Sequence, residues 1–122
     1  MKIENKNIEL LSSVARTATT NSGDITNKDL SGIHLVIDVT SVTDTPSVVP
    51  TLQAKDPISN KYYTLLVGTA ITSVGTTVLK VFPGSPVSAN VSANDILPLK
   101  FRVLMTHADS DSITYSVSAN LV

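Results

Sequence analysis

Hydrophobic and polar residues alternate along much of this chain, most cleanly in two runs near its end. Leu97, Leu99, Phe101, Val103 and Met105 share one face of the first run; Lys100, Arg102 and Thr106 share the other, with Leu104 the exception. After His107-Ala108-Asp109-Ser110-Asp111-Ser112 the alternation resumes as Ile113, Tyr115, Val117 and Ala119 against Thr114, Ser116, Ser118 and Asn120. Period two is the pattern of a strand with one face on a core and the other in water. The runs predict strands over Leu97–His107 and Ile113–Leu121, joined as a β-hairpin, with Phe101, Val103, Tyr115 and Val117 buried.

The same reading extends upstream. Residues 1–7 are polar and read as a flexible arm, and residues 8–122 as a single domain. Ile8 to Thr17 is a first strand, with Ile8, Leu10 and Val14 on one side. Ala18 to Ser31 reads as a long loop with a turn or edge segment near Asn27 to Leu30. Gly32 to Thr40 is the clearest inner strand, placing Ile33, Leu35, Ile37 and Val39 opposite His34, Val36, Asp38 and Thr40. A turn at Thr43-Asp44-Thr45-Pro46 leads into a strand over Ser47–Lys55, in which Pro50 predicts an edge or a bulge. Asp56 to Lys61 reads as a hairpin turn into Tyr62–Val67, and Thr76 to Phe82 as a further strand stopped by Pro83-Gly84-Ser85-Pro86. Val87 to Asp95 reads as a polar loop. About seven strands separated by frequent turns, with no helical periodicity, predict an all-β antiparallel β-sandwich, immunoglobulin-like or jelly-roll.

Composition narrows the function classes. Hydrophobic residues make up 42% of the 122 residues but aromatic residues only 4%, so Val, Ile, Leu and Ala must build the core. The net charge is −1 and the cations are scattered, which argues against nucleic acid as a partner. There is no cysteine, hence no disulfide or thiolate zinc site. No apolar run approaches the roughly 20 residues of a helical membrane span, and Met1 to Asn7 lacks a signal peptide's apolar stretch, so no membrane association is expected.

Candidate chemistry is sparse. His34 and His107 are distant in sequence and no Gly-x-Ser-x-Gly elbow accompanies them, so no catalytic residues are assigned. Asp109 and Asp111, with Asp95 joined through folding, are a calcium candidate weighed against plain turn formation, and turn formation is the better reading. Asn90-Val91-Ser92 matches a glycosylation sequon and is expected to be unmodified. Tyr62 and Tyr63 fall on opposite faces of a strand, one packed inward and one at the surface. The tetrapeptide Val-Ser-Ala-Asn occurs at 87–90, 91–94 and 117–120, a spacing that fits no repeat architecture. The expectation is a non-enzyme without metal or cofactor.

Several stretches together carry a resemblance: Ser13–Thr19, Gly32–Thr40, Leu52–Pro57 running into Lys61–Leu66, Leu79–Gly84 and His107–Val117. They resemble, in order over residues 8–122, a group of small structural proteins of tailed bacteriophages. The resemblance implies a virion component assembled in the host cytoplasm, foremost a capsid decoration (auxiliary) protein that binds the major capsid protein or other virion proteins and forms a homo-oligomer. Tail, neck and fibre-associated roles are the alternatives within that class, and a host-surface carbohydrate- or receptor-binding sandwich is the alternative outside it.

Overall fold

The computed structural model describes residues 6 to 122, and all of its regular structure is β. Ten strands follow one another: β1 (Lys6–Arg16), β2 (Thr20–Asn21), β3 (Ile25–Thr26), β4 (Ile33–Val42), β5 (Val48–Lys55), β6 (Tyr62–Val67), β7 (Gly75–Val81), β8 (Ser92–Ala93), β9 (Lys100–His107) and β10 (Ile113–Leu121). The expected seven therefore become ten. The added strands, β2, β3 and β8, have two residues each. Pairs that short carry no readable alternation, which is why they lay hidden in segments read as loops.

One sheet runs β1-β10-β4-β7-β8; the other runs β2-β9-β5-β6, with β3 also pairing β9. Every pairing is antiparallel except β7 with β8. The inner faces enclose one aliphatic core. From the first sheet come Ile33, Leu35, Ile37 and Val39 of β4, Leu79 and Val81 of β7, and all five odd-numbered residues of β10 from Ile113 to Leu121. From the second come Val48 and Leu52 of β5 and Phe101, Val103 and Met105 of β9.

The last two long strands are not a hairpin. β9 pairs with β5 and β10 pairs with β1 and β4, so the chain crosses from one sheet to the other between them. Alternation shows that a strand has one buried face, and strands of both sheets satisfy that condition equally. Facing sheets lie about 10 Å apart, a gap that residues 108–112 span. This crossing lies against the crossing from β4 to β5: Thr43 N–H donates to Ser112 O (2.9 Å), Ala108 N–H donates to Ser47 O (3.0 Å), and Asp111 Oδ2 accepts from Thr45 N–H (3.2 Å). The burial expectation holds despite the changed partner, since Phe101, Val103, Tyr115 and Val117 are all fully buried. Leu99, expected on the same inward face, lies before β9 and is 60% exposed, while Leu97, also before β9, is buried.

Pro50 stands inside β5, paired with Met105 of β9 on one side and just beyond the end of the β6 ladder on the other, away from the strand's register shift. Gly68 N–H donates to Pro50 O (2.8 Å), so the backbone of Pro50 faces the β6 side just past the last β6 residue. The missing donor thus falls where the β5–β6 ladder has already ended. Gly68 is required there, because a Cβ would stand 2.7 Å from Pro50 Cγ.

β1 takes in Lys6 and Asn7, paired with Leu121 and Asn120; the sequence reading had placed both in the arm. The rest of that arm, residues 1–5, lies outside the described residues. Register shifts between Glu9 and Leu11 and between Leu11 and Val14 break the alternation and leave Val14 half exposed. Arg16 fills the irregularity: its guanidinium donates to Ser12 O (2.7 Å), Val14 O (3.2 Å) and Tyr115 O (2.7 Å), and lies 4.7 Å from the Tyr115 ring centroid. Bulges of this kind twist an edge strand away from uncontrolled pairing.

Candidate functional site: the outer face of the β9 sheet

The residues singled out from sequence do not converge. His34 lies on the outer face of β4 near Phe82, and His107 lies at the opposite end of the sandwich, where β9 turns into the crossing. His107 Nε2 is 3.0 Å from Tyr115 Oη. Burial lowers the His107 pKa below its ordinary 6.5, and the nearby Arg16 charge lowers it further against an opposing pull from Asp109. Burial likewise raises the Tyr115 phenol to about 12. The phenol keeps its proton, and its hydrogen bond with the imidazole ties β9 to β10.

Asp95 stands before β9 and Asp109 and Asp111 stand after it, so the calcium grouping does not form. Asp109 Oδ1 accepts from Asp111 N–H (3.0 Å) and Asp95 Oδ1 from Ile96 N–H (2.7 Å), both local turn bonds. Among the described residues no cluster of three or more His, Cys, Asp or Glu side chains is placed to hold a metal ion. Asn90 of the sequon has φ of 63° and donates through Nδ2 to Val67 O (3.0 Å). The three Val-Ser-Ala-Asn copies take different conformations, a turn, a passage through β8 and part of β10, which fits chance recurrence.

Polar chemistry concentrates instead on the solvent face of the second sheet. Arg102 of β9 sits opposite Gln53 of β5, and its Nε donates to Gln53 Oε1 (2.8 Å). Its guanidinium carbon lies 3.5 Å from the centroid of the Tyr62 ring of β6. The Tyr62 hydroxyl donates to Asp24, which connects β2 to β3, and Lys55 Nζ reaches the other oxygen of that carboxylate (2.7 Å) while standing 5.6 Å from the same ring. The hydrogen bond from Lys55 and then that from Tyr62 hold the Asp24 carboxyl below its ordinary range, and Asp24 in turn raises Lys55. Lys100 completes the group, donating to Thr26 Oγ1 (2.7 Å).

This network links β3, β5, β6, β9 and the β2–β3 connection, which alone accounts for Asp24, Lys55 and Tyr62. Arg102 is different. It is held by a ring and by one nitrogen, Nε, while its two terminal nitrogens have no hydrogen-bond partner among the described residues. Among the described residues neither Arg102 nor Lys100 has a carboxylate within salt-bridge distance. Sequence reasoning found Tyr62 but not its partners, which are scattered from residue 24 to residue 102. The available signal was alternation, which puts Gln53 with Lys55, and Lys100 with Arg102, on outward faces. Comparison with protein-family models, curated proteins and solved structures finds no match.

Proposed function

We propose that this protein is a non-enzymatic structural component of a tailed-phage virion, a capsid decoration protein that binds the assembled shell. The sequence resemblance over residues 8–122 supports the phage assignment, and strand order supports the architecture. With β2 and β3, each paired to β9, counted as one strand and the two-residue β8 set aside, β1-β10-β4-β7 facing β2/β3-β9-β5-β6 matches the order of an eight-stranded jelly roll, an architecture shared by viral capsid and lectin domains. The observation that carries a binding role is the edge of the second sheet at β6. β6 ends its sheet with a regular start to its ladder, whereas the edge of β1 is twisted by two register shifts. Open edges recruit partner strands unless blunted, and a closed homo-oligomer or a capsid lattice would supply such partners.

A second reading, a carbohydrate- or receptor-binding sandwich, is favoured by Tyr62 standing among Gln53, Lys55 and Arg102. That ring is already engaged by two cations, so it offers a poorer platform for a sugar than a bare aromatic. Proteomics of purified particles separates the readings. The decoration reading expects this chain in intact heads at a copy number comparable to shell subunits. A chain found only in tails moves it to the tail or neck class, and a chain absent from particles overturns the virion reading.

A further inference from the structure

We propose that the β6 edge, together with Arg102, is a docking site for an extended acidic segment of a partner protein, which adds a strand to the second sheet. The inference names the partner chemistry of the binding role proposed above and rests on that reading for its biological setting.

The backbone provides the first part of the argument. Asp56 N–H donates to Lys61 O (2.8 Å) at the hairpin turn, and Gly68 N–H donates to Pro50 O (2.8 Å) at the far end of β6. In an antiparallel ladder the bonded pairs alternate with pairs whose N–H and C=O point outward. Counting from either end, the backbone groups of Tyr62, Thr64 and Val67 face away from β5. The Val67 carbonyl is capped by Asn90 Nδ2. Tyr62 and Thr64 have no such cap among the described residues, so the open stretch lies at the start of β6, beside the turn. Tyr63 (48% exposed) adds apolar surface along it.

Charge selects the occupant. Around the Tyr62 ring stand the cations Lys55 and Arg102 and the anion Asp24, and the hairpin turn before β6 adds Lys61 and Asp56. Asp24 is neutralised by Lys55. Asp56 is turned into the hairpin, accepting from Ile58 N–H (3.1 Å) and Ser59 Oγ (2.8 Å). Arg102 therefore presents a guanidinium fork, orientated by Tyr62 and Gln53, with its terminal donors open for a carboxylate. A strand beside β6 whose outward residues include Glu or Asp brings such carboxylates to the same outer face.

The test uses the full chain and a short capped peptide in which Glu alternates with Thr and Val. A matched peptide with Lys in place of Glu and an acidic oligosaccharide, oligogalacturonate, serve as the other probes. The Glu peptide should shift the backbone amide resonances of Tyr62 and Thr64, weaken as salt is raised, and lose about ten-fold or more in affinity in Arg102→Gln. Arg102→Lys should fall between, since it keeps the charge but not the fork. Thr64→Pro, which removes an outward N–H from an edge strand, should weaken binding without unfolding the protein. Absence of binding to the folded wild-type chain, equal binding of the Lys peptide, or an affinity unchanged in Arg102→Gln would overturn the site. Preference for the oligosaccharide would assign the face to the sugar-binding reading instead. Peptide binding by a protein that is absent from particles would leave the site intact and overturn only the virion reading.

Discussion

Replacing Phe101 by Ala, with Leu99→Ala as its control, separates packing from pattern. Both residues fall on one face of the same alternating run, yet Phe101 is 0% exposed and Leu99 is 60% exposed. Removing the ring forfeits about 2–3 kcal/mol of apolar transfer energy. It also leaves a cavity between the sheets, which β9 cannot close while it is paired on both sides. The sum is about 3–5 kcal/mol. Unfolding entropy scales at about 2.1 cal/mol/K per residue, so for a chain of this length the melting temperature should fall by about 12–20 °C. Leu99→Ala should stay within about 0.5 kcal/mol of wild type. Urea titrations with thermal melts followed by far-ultraviolet circular dichroism measure both. A loss under about 1 kcal/mol in Phe101→Ala, or an equal loss in Leu99→Ala, would refute the placement of β9 against the core.

Three further outcomes follow from particular contacts. Because burial depresses the His107 pKa below 6.5, the unfolded chain binds more protons than the folded one just below that pH. The His107 contribution is therefore complete above about 6.5 and lost as pH falls towards the folded value; a pH series of melts should show the loss, and His107→Gln should remove it. Asn27 is buried and its Nδ2 donates to Leu30 O (2.6 Å) and Leu97 O (2.9 Å), so Asn27→Ala should cost about 2 kcal/mol, with Asn27→Asp worse at neutral pH because a carboxylate would face two carbonyls. Gly32→Ala forces a methyl against Phe82 Cβ and to within 2.8 Å of Val81 O, and should cost about 1–3 kcal/mol in denaturant titrations.

The seven long strands were legible in the sequence because each is a run of six residues or more rich in aliphatic, β-branched or aromatic side chains and bounded by turn residues, with clean alternation in β4, β9 and β10. β6, for instance, occupies the expected Tyr62–Val67. Partner choice was not legible: Tyr115 needs a buried face, and nothing in its spacing says whether β9 or β4 lies alongside. Loop length did not decide either, because residues 108–112 serve a sheet crossing as readily as a hairpin. β1 misled locally, since its register shifts change which side chains point inward, and the device that accommodates them, Arg16, acts on carbonyls rather than on a readable pattern. The outer-face network was invisible for a third reason. Asp24 lies in a stretch read as loop, and Arg102 looked like any outward polar residue until Tyr62 was brought across the sheet to it.

The central claim, a domain that decorates a phage shell, is tested most directly by imaging purified particles at a resolution that distinguishes a sandwich of this size. The account predicts density for the domain on the outer surface of the head at regularly repeating lattice positions. Heads that lack this density, from particles in which the chain is also undetected by mass spectrometry, would contradict it.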